Sequence, residues 1–119
     1  MLRDLKPCRV TPLDGEGVKG ELREFVMPER SNIGVAFSVI DGRWPVGGNE
    51  WVRSRDVDEY YCLVKGTAVV IPEGEEPQPL MTGLWTKMER GSWYKGEFKD
   101  AEFWIVTNPP WYPEQEELK

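Results

Sequence analysis

The chain has 119 residues, a length that fits one domain with one modest core. Its net charge is −6, from 15 basic and 21 acidic side chains, which argues against a nucleic-acid surface because such a surface needs a basic patch. No apolar run approaches the length of a membrane span, and the N-terminus lacks the apolar region of a signal peptide. We therefore expect a cytoplasmic protein without membrane or nucleic-acid partners.

The first part of the chain has the pattern of short β segments separated by turns. Residues 1–18 mix Pro, Gly and charged residues, and are typical of an arm or an edge strand. Residues 20–27 show a partial period-2 pattern, and residues 33–40 are apolar and β-branched, so both segments are predicted strands. Asp41-Gly42 is a common hairpin dipeptide and predicts a tight turn directly after the second strand.

The strongest β pattern lies in the middle of the chain. Residues 59–71 form an apolar, β-branched and aromatic run, in which Lys65-Gly66 marks a turn or a bulge. Before this run, residues 51–55 alternate in type, as successive residues of a strand do. After it, residues 72–79 are rich in Pro, Gly and Glu and are predicted to form a loop.

The C-terminal part continues the β pattern and ends in an acidic tail. Residues 84–88, 93–98 and 102–107 are predicted short strands. We expect the glutamates of residues 114–119 to be solvated, and the backbone there to form one helical turn at most. The count is seven to nine short strands without an amphipathic helix, which indicates a sandwich or a barrel.

A spacing that begins at Gly47 resembles the first sequence motif of the cupins. That motif is Gly, five residues, His, one residue, His, three or four residues, Glu, six residues and Gly. The intervals match at Gly47, Arg53, Arg55, Glu59 and Gly66, so both histidines are replaced by arginine. The resemblance implies an all-β chain that forms a small antiparallel β-barrel, the double-stranded β-helix or cupin jelly roll.

The second cupin motif is matched less completely. Gly83 and Gly91 stand at its glycine positions, while Glu89 replaces its proline, Tyr94 its histidine and Phe98 its asparagine. The resemblance covers roughly residues 33–111, a range that includes both motifs.

The resemblance also implies a domain organisation and an oligomeric state. It predicts one cupin domain over residues 1–119, with a core at roughly residues 33–111, an N-terminal arm at residues 1–18 and an acidic tail at residues 112–119. Small cupins commonly pair through their sheets, so the resemblance implies a homodimer.

In the cupins, the residues at these motif positions hold a divalent metal. The equivalent set here would be Arg53, Arg55, Glu59 and Tyr94. A guanidinium group has no lone pair and repels a cation, and the chain contains no histidine. We therefore expect neither a metal nor another cofactor.

A different chemistry is predicted for the same positions. Residues two apart on a strand share a face, so Arg53 and Arg55 are predicted to point into the barrel beside Glu59. The two arginines would clamp a carboxylate or a phosphate, Glu59 would act as a base, and Tyr94 would donate a proton. The predicted ligand-binding set is completed by aromatic rings that could stack on a ligand: Trp51, Tyr61 and Trp93.

These residues favour a cupin that binds a small molecule and acts as a metal-independent isomerase, epimerase or lyase on an anionic or sugar-like metabolite. Two alternatives stay open at this point. The chain could be a binding or regulatory module that uses the same pocket without turnover. It could also be a structural domain, in which a salt bridge between the arginines and Glu59 only stabilises a barrel plugged by aromatic side chains.

Overall fold

The computed structural model describes residues 5–28 and 30–119, with only the backbone described at Pro7 and Cys8. Apart from one 3-10 helix at Pro113–Gln115, the regular structure of these residues is β-strand. Within them, no helix is long and apolar enough to cross a membrane. The strands, in chain order, are β1 (Pro7–Pro12), β2 (Val18–Phe25), β3 (Gly34–Trp44), β4 (Val52–Ser54), β5 (Asp58–Pro72), β6 (Gln78–Pro79), β7 (Trp85–Met88), β8 (Tyr94–Asn108) and β9 (Glu116–Leu118).

The nine strands of the described residues form one antiparallel sheet that curls on itself. β8 is its central strand, since it pairs along its length with β3 and with β5. β2 and β1 continue the sheet beyond β3, β6 and β7 both pair with β5, and β9 pairs with β4. The predicted all-β antiparallel architecture is confirmed.

The core is built from alternate residues of the long strands. On β5, Tyr61 and Leu63 are buried, and on β8, Ala101 and Phe103 are buried. The ring of Phe103 stacks on that of Phe98, with centroids 5.5 Å apart. A large apolar side chain that is fully buried stabilises the fold by about 1.5–3 kcal/mol, so this alternation fixes the strand register strongly.

The predicted turn at Asp41-Gly42 is wrong, because both residues lie inside β3. The pairing of β3 with β8 is irregular between Ile40 and Gly42, which indicates a bulge. Gly42 has a φ of 119°, and a Cβ there would meet the carbonyl oxygen of Gly17 at 2.1 Å. The glycine therefore lets two strands approach closely, and the strand bends instead of ending.

Other strand boundaries also differ from the prediction. The predicted strands at residues 93–98 and 102–107 are not separate, because the single strand β8 runs from Tyr94 to Asn108. The predicted loop at residues 72–79 includes β6. Lys65-Gly66 lies within β5, and the pairing with β8 shifts on both sides of Lys65, so the bulge forms and not the turn.

Both ends of the described chain belong to the sheet. β1 pairs with β2 as an edge strand, which is one of the two alternatives predicted for residues 1–18, of which residues 1–4 lie outside the described residues. In the tail, the 3-10 helix at Pro113–Gln115 is followed by β9, which pairs with β4. The tail is therefore part of the barrel wall.

Candidate functional site

The concave side of the sheet encloses a cavity of about 680 Å³. A volume of this size suits a small organic molecule. Most of the wall is apolar, which would exclude water from a bound molecule. Residues of this apolar wall include Leu22, Ile40, Trp44, Leu80, Phe103 and Trp111.

A hydrogen-bonded cluster around Glu59 forms the polar part of the wall. Glu59 and Tyr61 are two apart on β5, so both face the cavity. The Ser54 hydroxyl donates to Oε1 of Glu59, and the Tyr61 hydroxyl donates to Oε2 at 2.9 Å. The hydroxyl oxygens of Tyr61 and Tyr94 are 3.0 Å apart, which brings the first residue of β8 into the cluster.

Burial decides the protonation of these groups. Glu59 is 8% exposed, and its burial raises its pKa, while the hydrogen bonds from Ser54 and Tyr61 act in the opposite direction. Burial and the nearby charge of Glu59 raise the pKa values of Tyr61 and Tyr94 well above the usual value for tyrosine. At neutral pH both tyrosines therefore keep their protons and can donate, and Glu59 is the group of this cluster that can gain or lose one.

Among the polar residues of the wall that were not expected from the sequence are Thr107 and Glu116. Thr107 is opposite Glu59 in the pairing of β8 with β5, and its hydroxyl is buried without a hydrogen-bond partner among the described residues. Glu116 of β9 also lines the cavity, so the expectation that it is solvated is wrong. Thr107 is in phase with Phe103 on β8, a period-2 signal that could have placed it inside. For Glu116 the sequence offers no such signal.

The structure brings together three of the predicted site residues: Glu59, Tyr61 and Tyr94 all line the cavity. Arg53 and Arg55 do not, and their predicted convergence on Glu59 is wrong. Val52 and Ser54 are buried on β4, so the residues between and after them face outward. The predicted orientation of β4 is therefore off by one residue, and an offset of one residue turns every side chain of a strand to the other face.

Both arginines have other partners on the outer surface. Nη2 of Arg53 is 3.0 Å from Oε1 of Glu117, and the Arg53 guanidinium lies over the Trp93 ring at 4.6 Å. Nη2 of Arg55 is 3.0 Å from Oδ2 of Asp56. Neither group can clamp an anion inside the barrel, nor does either form the salt bridge to Glu59 that a structural role predicted.

The predicted aromatic residues divide in the same way. Tyr61 lines the cavity, but Trp51 and Trp93 lie on the outer face. Nζ of Lys95 lies over the Trp51 ring at 4.7 Å, and Nζ of Lys119 lies over the Trp93 ring at 4.4 Å. These two tryptophans pack against cations and do not form a platform for a ligand in the cavity.

The residues of the cavity do not fit the metal that the motifs usually hold. The first cupin motif allows four residues before its glutamate, and this spacing places Val52 and Ser54 at the two histidine positions. Val52 offers no ligand atom, and the remaining donors there are Ser54, Glu59 and Tyr94. One carboxylate with hydroxyl groups is a poor donor set for zinc or iron. In the part of the chain that the structure describes, no group of three or more His, Cys, Asp or Glu is placed to hold a metal ion.

The outward position of Arg53 predicts that its removal has only a small effect on stability. Its ion pair is partly exposed, with 30% of the Arg53 side chain accessible. We expect Arg53→Ala to lower the free energy of unfolding by only about 0.5–1 kcal/mol, the loss of one surface pair and one ring contact. Urea unfolding measures this, with the exposed Arg55→Ala as a control that should change little. A loss of about 3 kcal/mol or more would indicate a buried ion pair and contradict the assignment.

No protein-family model and no curated protein matches the chain. Solved structures do match. Pac13, a nucleoside dehydratase, has a TM-score of 0.73 and 13% identity, with 100% of this chain and 92% of that chain covered. Structures of Streptomyces PAC13 variants with uridine have TM-scores of 0.74, also at 13% identity.

Two further structures are similar over most of their lengths. Ectoine synthase from P. lautus has a TM-score of 0.64 and 14% identity, over 91% of this chain and 80% of that one. A cupin-2 domain protein from Shewanella frigidimarina has a TM-score of 0.57 and 17% identity, over 72% of this chain and 78% of that one. At these identities the likeness concerns the fold.

Proposed function

From its cupin fold, which the motif spacing predicted and the similar structures support, we propose that this chain is an acid–base enzyme. It binds an uncharged, hydroxylated small molecule in the cavity and moves a proton through Glu59, as a lyase or an isomerase. The observation that carries this proposal is a buried carboxyl group with a raised pKa on the wall of a cavity, hydrogen-bonded to Ser54 and Tyr61. Such a group is a functional-site candidate on physical grounds.

The charges of the cavity favour an uncharged ligand over the anionic one expected from the sequence. Glu24, Glu59 and Glu116 line it, and the cation among the lining residues, Arg9, is 2.7 Å from Glu24. An anion would therefore meet carboxyl groups without the pair of arginines on which that expectation depended. The Thr107 hydroxyl and the tyrosine hydroxyls suit a ligand with hydroxyl groups, and the apolar wall suits the face of a ring.

The chemistry follows from the three groups around the carboxyl. Glu59 can take a proton from a carbon atom next to a carbonyl group. Tyr94 can donate a hydrogen bond to the oxygen on which negative charge then develops, because its raised pKa keeps its proton in place. Proton abstraction of this kind is the first step of both isomerisation and loss of water. The likeness to a nucleoside dehydratase supports a nucleoside or sugar derivative as the ligand.

A matched pair of probes tests the ligand class. We expect millimolar uridine to raise the melting temperature by about 2–8 °C, and uridine 5′-monophosphate to raise it less, because its phosphate would enter an acidic cavity. Thermal unfolding measures both. Stronger stabilisation by the monophosphate, or none by uridine or by neutral sugars, would contradict the proposed ligand class.

A second measurement tests turnover. Nucleosides and sugars that carry a carbonyl group are incubated with the protein in deuterium oxide. We expect proton NMR to show exchange of the hydrogen next to the carbonyl, and mass spectrometry to show loss of water or an isomer. Binding without exchange or product would instead support the alternative of a non-enzymatic binding module.

The open cavity does not have the aromatic plug that a structural domain predicts. The homodimer and the cytoplasmic location stay predictions.

A further inference from the structure

We infer that Glu116 is a second proton-transfer group of the cavity, which supplies a proton to a leaving hydroxyl while Glu59 removes one from carbon. This inference rests on the proposed function and narrows it to the elimination of water. It depends on β9, a strand that the sequence did not predict.

The pairing of β9 with β4 places the two carboxyl groups in one part of the cavity. Glu116 is the direct partner of Ser54 in this pairing, and the Ser54 hydroxyl donates to Glu59. Glu116 and Glu59 both line the cavity. The next residue of the strand, Glu117, lies on the outer face with Arg53. The alternation of β9 therefore turns one glutamate inward and the other outward.

Several contacts hold β9 in this position. The backbone N–H of Lys119 donates to Trp51 at 3.0 Å, and the N–H of Trp51 donates to Lys119 at 2.8 Å. Nζ of Lys119 also forms an ion pair with Glu73 at 3.0 Å. Together with the Arg53–Glu117 pair, these contacts fix the strand that carries Glu116.

The groups that share the cavity with Glu116 explain how the pair titrates. Glu59 and Tyr61 of β5 and Tyr94 of β8 line the same cavity as Glu116, while Arg53 of β4 is turned to the outer face. Burial and the negative charge of Glu59 raise the pKa of Glu116 to about 7. Since the charge of each carboxyl group disfavours ionisation of the other, the two groups are expected to titrate as a coupled pair. Burial raises the pKa of Glu59 as well, and the hydrogen bonds from Ser54 and Tyr61 act in the opposite direction, so we assign the acid role to Glu116 and the base role to Glu59.

These two roles fit the loss of water from a β-hydroxy carbonyl compound. Glu59 takes the proton from the carbon next to the carbonyl, and the electron pair of that C–H bond forms a carbon–carbon double bond. The C–O bond to the next carbon breaks, and the leaving hydroxyl takes the proton of Glu116 and departs as water. The pair still holds one proton afterwards, now on Glu59, and no oxidant or other reactant is needed.

Titration of the glutamate carboxyl groups tests the pair without a substrate. The protein is labelled with ¹³C at the glutamate carboxyl carbons, and the Glu116 signal is identified by its absence in Glu116→Gln. We expect this signal to titrate near pH 7, and in Glu59→Gln to titrate closer to 4.5, the ordinary value for a glutamate. An ordinary titration in the wild-type protein, or no change in Glu59→Gln, would overturn the inference.

The pH dependence of stability gives a second test, which does not need assigned NMR signals. A carboxyl group whose pKa is raised on folding destabilises the fold once it ionises, so stability falls as pH rises from about 4.5 to 7. We therefore expect Glu116→Gln to melt about 4 °C or more above wild type at pH 8 and close to wild type at pH 5. The exposed Glu114→Gln is the control and should show no such pH dependence. Equal melting temperatures at both pH values would count against a buried, ionising Glu116.

The deuterium assay separates this inference from the proposed function. We expect Glu116→Gln to keep the exchange of the carbon-bound hydrogen within a few fold, and to lose water at least about 100-fold more slowly. Equal loss of both steps would show that Glu116 is not the acid. If no compound exchanges at all, the proposed function fails, and the titration still decides whether the two carboxyl groups form a pair.

Discussion

Glu59→Gln is expected to lower kcat by about 10²–10⁴-fold, the usual effect of removing a group that transfers a proton. The amide cannot take a proton from carbon. It has nearly the same shape as the carboxyl group, and its oxygen can still accept the hydrogen bond from Ser54. The loss should therefore appear in kcat and in the deuterium exchange, and the fold should remain intact.

The measurement compares initial rates of the variant and the wild-type protein on any compound that exchanges deuterium in the wild type. Circular dichroism and the melting temperature check the fold. Glu114→Gln serves as the matched control, since it makes the same chemical change on the exposed side of the tail. A Glu59→Gln variant that exchanges at the wild-type rate would remove Glu59 from the mechanism.

Gly66→Ala is expected to lower the free energy of unfolding by more than about 3 kcal/mol. Gly66 lies at the bulge of β5, with a φ of 78°, a conformation that alanine adopts only with strain. A Cβ at this position would meet the carbonyl oxygen of Asp100 at 2.1 Å. The neighbouring atom is backbone and cannot rotate away, so β5 and β8 would have to separate at this point.

Gly74→Ala separates the two causes of that loss. Gly74 has a φ of 80°, close to that of Gly66, but a Cβ there would have no atom within 4 Å. Only the strain of the backbone remains, and we expect a loss of about 1–2 kcal/mol. Urea unfolding of both variants gives the comparison. Equal losses would mean that the approach of β8 to Gly66 has no energetic consequence.

The sequence predicted the fold because local and motif signals agreed. The apolar run at residues 59–71 becomes the long strand β5, and the spacing from Glu59 to Gly66 correctly places an inward carboxyl group and a bulge. These features depend on residue type and on short intervals, which a single sequence displays directly. Tyr94 was predicted from the spacing of the second motif, and Tyr61 was predicted as an aromatic ring that could stack on a ligand.

The predicted orientation of β4 is wrong because the motif and the alternation of residue types indicate opposite faces of this strand. Val52 and Ser54 are small, and Arg53 and Arg55 are charged, so a half-buried strand should turn the arginines to water. The motif match that begins at Gly47 instead predicted that the two arginines face the inside of the barrel. Since the motif allows three or four residues before its glutamate, the spacing alone could not decide between the two registers, and burial decided it.

The role of the tail could not be predicted by local reasoning. Residues 116–118 have no apolar period-2 pattern, and they form a strand because β4 offers backbone partners. Arg53 and Glu117 are 64 positions apart in the chain. A contact at this distance depends on how the sheet curls, which local residue patterns do not show, so the sequence alone predicts a solvated Glu116.

The positions of the tryptophans allow intrinsic fluorescence to report whether the cavity is occupied. Trp44 and Trp111 line the cavity, and both indole rings would sense a molecule that displaces water beside them. Trp51 and Trp93 are covered by cations on the outer wall, where a guest in the barrel does not reach them. Quenching or a blue shift of the intrinsic fluorescence, lost when Trp44 and Trp111 are both replaced by phenylalanine, would therefore follow occupancy in solution without any added dye.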